Sequence, residues 1–408
     1  MDPIEPVPAG SPRSIVAPLV ALVAIALVFR PQVIAIGPLL PDIQAGLGMS
    51  HGLAGALSAI PVLCMGIFAP LGPRFARRLG ARRALAVCAA LVIVFGLVRL
   101  AVPGSILVLL VTFGIGLGMG LAGPIFPLVV RTRLPTRPAL GTGAYASGLV
   151  LGGTFAAALA IPLAGDGGDW RFALGAITVA GLGSLTVWLV LAPGDAVVDT
   201  TVMPTRIPWR SPIGWVLGAL FGLQSTLYYG VVAWLAAVYI DHGWSAPDAA
   251  QLVAVFSAVT LAGTILTPFG ADRIGTRRGQ LVASSAAVLV GMLGIVLAPD
   301  PAIVWAVLLG AGMGAIFPIV LTLPVDVGGL PAEVAATAAV MLLVGYLSSA
   351  AGPLLFGVAR DVTGDFAVSL WLLVAAAAVL LALCALMTPD RLRRIGARTA
   401  GRTTGRSA

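Results

Sequence analysis

Residues 48–83 read GMSHGLAGALSAIPVLCMGIFAPLGPRFARRLGARR, and residues 243–278 read GWSAPDAAQLVAVFSAVTLAGTILTPFGADRIGTRR. Both stretches open on a Gly with a Ser two places later and run through a long apolar segment. Both close on Gly, one residue and Arg-Arg: Gly80-Ala81-Arg82-Arg83 in the first copy, Gly275-Thr276-Arg277-Arg278 in the second. The offset is 195 residues at either end. Outward from these copies the register persists. Gly116-Leu117-Gly118-Met119-Gly120 pairs with Gly310-Ala311-Gly312-Met313-Gly314 at 194, and Gly168-Asp169 with Gly364-Asp365 at 196. Ile125-Phe126-Pro127 matches Ile316-Phe317-Pro318 after a small gap. A spacing held this closely marks a duplicated unit.

Composition says what solvent that unit meets. Of 408 residues, 59% are hydrophobic and only 10% charged, whereas a soluble domain carries roughly a quarter charged residues. Lipid is the alternative solvent, and it admits only helices or closed barrels. The apolar runs 15–29, 85–98, 172–192 and 370–387 are long and do not alternate, so they predict spanning helices rather than barrel strands. Breaks fall at 41–50, 74–83, 101–105, 131–138, 164–169, 193–211, 241–247, 272–279, 299–301, 326–333 and 359–365. Eleven breaks make twelve segments. The predicted fold is an all-α membrane protein with twelve transmembrane helices in two pseudo-symmetric six-helix bundles. Its parts are a cytoplasmic tail (1–14), a first bundle (15–192), a cytoplasmic linker (193–211), a second bundle (212–388) and a cytoplasmic tail (389–408). Six helices per half is even, so the repeats are parallel, related by an axis along the membrane normal.

Every one of the 24 basic residues is Arg, and 20 of them fall on the side that holds both termini. The positive-inside rule therefore predicts cytoplasmic termini. The net charge of +8 reads as this asymmetry and not as a nucleic-acid surface. Cys64, Cys88 and Cys384 lie in apolar segments without metal spacing and read as small buried hydrophobes.

The loops 72–83 and 270–278 resemble the conserved loop of the major facilitator superfamily: a Gly, then Asp-Arg, then Gly and a basic pair. The second copy keeps Asp272-Arg273; the first has Arg77, followed by Arg78, where the Asp is expected. Arg30-Pro31 with Gly37-Pro38-Leu39-Leu40-Pro41, Pro61-Val62-Leu63-Cys64, Ala233-Trp234-Leu235, Gly345-Tyr346 and Gly352-Pro353-Leu354-Leu355-Phe356-Gly357 are similar to the cyanate/2-nitroimidazole transporter subfamily. That resemblance covers nearly the whole chain between helices 1 and 12. It implies a transporter of the bacterial inner membrane that works by alternating access, and it leaves the cargo open.

Charges inside the apolar segments point to the site. Arg30 lies near the bilayer middle in helix 1, where an Arg costs about 2.5–3.5 kcal/mol even on the lenient insertion scale. A fixed positive charge at a central site is favoured over snorkelling. The repeat offset maps Arg30 onto Ser225 in helix 7, within Gln224-Ser225-Thr226-Leu227-Tyr228-Tyr229. Gln224 and Tyr228 share one helical face; the alternative for them is interhelical hydrogen bonding. Tyr145 in helix 5 and Tyr346 in helix 11 flank the expected cavity. The expected substrate contacts are thus Arg30, Gln224, Tyr228, Ser225, Tyr145 and Tyr346. Expected gating or conformational positions are Arg99 near the outer end of helix 3, Asp272, Arg273, Arg77 and Arg78 in the loops, and Pro127 and Pro318 in helices 4 and 10. For Arg99, anchoring or gating is placed ahead of substrate contact.

No acid sits in the middle of an apolar segment, and the chain has two histidines, no HExxH and no phosphate-binding Gly-Lys loop. An enzyme, a metal site, a bound cofactor and direct use of ATP are therefore not expected. The expected partners are a small anionic or polar solute and the lipid bilayer, with the chain acting as a monomer. An efflux carrier for flat nitroheterocycles or drugs is the alternative within the same fold.

Overall fold

The computed structural model describes residues 12–134, 137–165, 167–192, 194, 209, 211–270, 277–327 and 331–387. Among them there is no strand, and 12 helices are long and apolar enough to cross a membrane. In chain order these are span 1 (Val16–Ile34), span 2 (His51–Leu79), span 3 (Ala81–Ala101), span 4 (Ser105–Arg133), span 5 (Leu140–Ala164) and span 6 (Trp170–Leu191). After the stretch 193–211 come span 7 (Pro212–Asp241), span 8 (Ala246–Thr267), span 9 (Arg277–Leu297), span 10 (Ala302–Pro324), span 11 (Ala336–Thr363) and span 12 (Ala367–Leu386). An even number of crossings brings both ends of the described chain to one face, the terminal face; the opposite one is the distal face.

The repeat seen in sequence recurs as contacts. Arg82, at the start of span 3, donates to the Leu189 carbonyl at the end of span 6. Arg278, at the start of span 9, donates to the Ala385 carbonyl at the end of span 12, with Nη2 at 2.6 Å. The glycine pairs behave alike. A Cβ on Gly118 would lie 2.7 Å from the Cys88 carbonyl oxygen, and one on Gly312 would lie 2.6 Å from that of Ser284. Spans 3 and 4, and likewise 9 and 10, approach so closely that backbone packs on backbone, which is how small residues drive helix association in lipid.

Three local features differ from the expected pattern, each for a proline or glycine reason. Helix 1 is not continuous up to the break at 41–50: an α-helix over Pro12–Ala26 gives way to a turn, a short helix over Pro31–Ile34 and a further helix over Ile36–Leu47. Val28 and Phe29 donate to Ile25 and Ala26 at 3.3 Å, the tighter i to i−3 pattern, and Pro31 has no N–H to offer Leu27. Helix 11 breaks likewise between Pro331–Ser349 and Ala351–Thr363, ahead of Pro353. The expected loop 74–83 is mostly helix: Gly72–Leu79 continues span 2, and the reversal is made at Gly80, whose φ of +85° suits glycine alone.

On the distal side the two halves are pressed together. Gly37 of the first half lies against the Val232 carbonyl of span 7, Gly55 of span 2 against that of Pro353, and Gly357 of span 11 against that of His51. Trp234, in the distal third of span 7, is 1% exposed. It donates its indole N–H to the Pro353 carbonyl at 2.9 Å and stacks on Phe356. A buried indole needs a polar partner, and here a carbonyl of span 11 supplies it.

Candidate functional site between the two halves

The break in helix 1 sets the site. Arg30 is the last residue of the turn before Pro31, and its guanidinium reaches out of the first half toward span 7. Nη1 donates to the Tyr228 hydroxyl at 3.2 Å. The guanidinium carbon lies 5.4 Å from the Tyr228 ring centre and 6.0 Å from that of Phe317 on span 10, a range in which ring faces attract cations. Among the described residues no carboxylate makes an ion pair with Arg30; the pairs present are His51–Asp361 and Arg360–Asp241.

Arg30 lines a small cavity together with Val150 of span 5, Gln224, Ser225, Tyr228 and Tyr229 of span 7, and Thr260 and Thr264 of span 8. Met313 and Phe317 of span 10 and Tyr346 of span 11 complete it. Among the described residues, Arg30 is the only charged side chain in this lining. The cavity volume is about 20 Å³, room for about one water molecule. The lining side chains thus pack closely around the guanidinium.

Four of the five other substrate positions suggested by sequence stand in this lining: Gln224, Ser225, Tyr228 and Tyr346. Ser225 donates to the Gln224 side-chain oxygen at 3.2 Å, and Tyr346 meets Phe221 edge-on at 5.1 Å. Tyr145 does not line the cavity; it stacks on Phe126 at 5.0 Å within the first half. Sequence reasoning missed Thr260, Thr264, Met313 and Phe317. Phe317 had a signal, because it occupies the repeat position of Phe126.

A second, wider cavity of about 1090 Å³ opens between spans 5 and 8 toward the distal face. Its walls are largely Ala and Gly, with Thr154, Gln251 and Asp42 as the polar members. Thr154 stands one helical turn from Val150 of the central cavity and donates to its carbonyl at 3.0 Å. The two cavities are thus neighbours along span 5, divided by a single turn.

With this geometry in hand, a family model described as "Major Facilitator Superfamily" matches residues 20–353. The chain belongs to the Major Facilitator Superfamily. The cyanate transport protein CynX of Escherichia coli is 32% identical over 351 residues, 85% of this chain and 91% of that protein. The 2-nitroimidazole transporter of Escherichia coli is 30% identical over 355 residues, 86% and 90% of the two chains. The subfamily resemblance carried by the Arg30-Pro31 and Gly345-Tyr346 strings is therefore borne out. Among solved structures, a bacterial homologue of the human lysosomal transporter Spinster superposes with a TM-score of 0.75 at 16% identity, over 96% of this chain and 99% of that one. At that identity the likeness speaks for the fold alone.

The suggested gating positions of this superfamily member are placed as follows. Arg77 and Arg78 are exposed on Gly72–Leu79 at the terminal face. Asp272 and Arg273 lie outside the described residues. The helices Ser105–Arg133 and Ala302–Asp326 run on through Pro127 and Pro318. Arg99 is 1% exposed and sits inside the first half, away from the cavity lining.

Proposed function

We propose that this transporter carries a small anion by alternating access, binding it at Arg30 between the two halves. The observation that carries the reading is the lone guanidinium: a cation without a carboxylate partner, held at the seam by a tyrosine of the opposite half. A buried cation left unpaired is costly, and an anionic substrate supplies the missing charge with planar, bidentate hydrogen bonding. The Gln224 amide N–H would donate to the same guest, with the Ser225 hydroxyl holding the amide oxygen. Both curated relatives described above are named for small-molecule transport, one for an anion, which supports the class of cargo. The chain acts without enzymatic chemistry and as a monomer, with 15–192 and 212–388 as the two moving bundles.

In this reading the terminal face is cytoplasmic, because 20 of 24 arginines fall on it in the sequence count, and the membrane is the bacterial inner membrane. The distal packing at Gly37, Gly55 and Gly357 then closes the central site from the outside, while the cavity between spans 5 and 8 stays open at the rim. Arg77, Arg78, Asp272 and Arg273 rearrange at the cytoplasmic rim as the halves rock, and the helices containing Pro127 and Pro318 flex.

A second reading keeps the site and changes the guest. Tyr228, Tyr229, Phe317 and Tyr346 make the lining aromatic, which suits a flat nitroheterocycle whose nitro group meets Arg30. A thermal-shift screen of the purified chain with cyanate, carboxylates and uncharged nitroheterocycles separates the two. Stabilisation by anions that vanishes in Arg30→Ala supports the anion reading; stabilisation by neutral aromatics alone, unchanged in that variant, overturns it.

A further inference from the structure

Arg30 and Gln32 flank Pro31 and reach in opposite directions. Arg30 crosses to the second half, whereas Gln32 turns inward, 3% exposed, between spans 3 and 6. There Arg99 Nη2 donates to the Gln32 side-chain oxygen at 2.9 Å, and Gln32 Nε2 donates to Thr178 Oγ1 at 3.0 Å. Thr178 passes its own proton to the Leu174 carbonyl at 2.6 Å. The chain of donors has one direction only. Arginine cannot accept, so the amide oxygen must face Arg99, and its NH2 must therefore face the threonine.

These bonds occupy a place where the backbone is poorly held. From Val28 to Phe29 the helix keeps only i to i−3 bonds, and Pro31 contributes none. Arg99 and Thr178 are each 1% exposed, so the amide is gripped on two sides in a dry interior. Arg99 also leaves Nε and Nη1 without a hydrogen-bond partner. A buried arginine with one neutral acceptor is an expensive arrangement, and Arg99 is not among the residues that line the cavity.

We propose that Gln32, clamped by Arg99 and Thr178, is a positioning residue that fixes where the broken turn presents Arg30. It touches no substrate. It rests on the reading of Arg30 as the anion-binding group, and it assigns Arg99 to anchoring within the first half. Because Gln32 and Arg30 stand on opposite sides of one proline, a loss of the clamp lets the turn rotate or slide, and the guanidinium leaves the seam.

The test uses the full chain in detergent with cyanate as the probe anion, read by titration calorimetry. Replacing both partners, Gln32→Leu with Arg99→Met, removes the clamp without stranding a polar group, which spares folding. This pair is expected to weaken cyanate about tenfold with an unchanged elution profile. Gln32→Glu, which keeps an acceptor for Arg99 but loses the N–H that holds Thr178, is expected to weaken cyanate by less than the double variant does. Thr178→Val, a nearly isosteric change, gives a several-fold weakening if the double variant does not fold.

The readout that a merely structural role would not move is coupling to Arg30. In an Arg30→Lys background, already weakened because the planar fork is gone, removing the clamp is expected to add little. Full additivity there, or wild-type affinity in both the double variant and Thr178→Val, overturns the positioning role while Arg30 stands. Wild-type cyanate binding by Arg30→Ala overturns the site reading, and the clamp's purpose with it.

Discussion

Asp361 of span 11 caps the first turn of span 2 across the seam: its carboxylate accepts from the backbone N–H of His51 at 2.9 Å and of Gly52 at 2.7 Å. The His51 ring adds a third contact, Nδ1 to Oδ1 at 2.8 Å. The first turn of a helix has N–H groups with no partner of their own. Here Ser50 satisfies Leu53 locally, while the two N–H groups before it are satisfied by the other half of the molecule. Separation of the halves on the distal side must break all three contacts.

Asp361→Ala is therefore expected to favour the distally open state. Loss of a helix cap costs about 1 kcal/mol, so the closed state should lose roughly fivefold in population. A cysteine placed at Val150, which lines the central cavity, reports it through faster labelling from the distal side by a membrane-impermeant thiol reagent. An unchanged labelling rate would refute the latch.

Steric closure should be harder to lose than the latch. A Cβ at Gly55 would collide with the Pro353 carbonyl, and one at Gly37 with that of Val232. In both cases backbone would have to move, because no side-chain tip is available to yield. Gly55→Val and Gly37→Val are each expected to hold the distal face open and to stop turnover in proteoliposomes. Binding of cyanate should survive in detergent.

How much of this could be read beforehand differs by feature. The twelve spans and the repeat were plain, because hydropathy and a fixed offset need no partner to be visible. Arg30 stands out as a charge in an apolar run, and the offset leads from it to Ser225, beside which Gln224 and Tyr228 share one helical face. Thr260 and Thr264 did not stand out. Each donates to its own helix, Thr260 to the Phe256 carbonyl and Thr264 to that of Thr260, as such residues do in any apolar helix. The second contact of Thr264, to the Gly314 carbonyl of span 10 at 3.2 Å, leaves no mark in the sequence. The Arg99–Gln32–Thr178 clamp joins three separate spans, and nothing in one chain's spacing announces it. Asp361 read as a helix-end acid, since a cap supplied from another helix leaves no local pattern.

The wider cavity offers a steric prediction. Thr154 and Ala258 line it from spans 5 and 8, one turn from the Arg30 cavity on the span 5 side. If the outer route runs along this seam, Ala258→Trp is expected to abolish uptake into proteoliposomes. Cyanate should still stabilise the purified variant thermally. Wild-type uptake would place the route elsewhere.

Charge gives the last test. Among the described residues, Asp42 is the only charged one lining the wider cavity, and Arg30 the only one lining the central cavity. An anion bound for Arg30 along this seam first passes a carboxylate, which repels it and lowers its local concentration at the mouth. Asp42→Asn is expected to raise the initial rate of cyanate entry about threefold at low ionic strength, leaving equilibrium affinity in detergent unchanged. The gain should shrink in 0.5 M salt, where the Debye length falls to about 4 Å. A neutral nitroheterocycle should show no such gain at either ionic strength. A gain that persists in high salt, or one shared by the neutral solute, would mean that Asp42 acts through packing against the loop at Gly168, whose added Cβ would lie 2.9 Å from its Oδ1, and not through its charge.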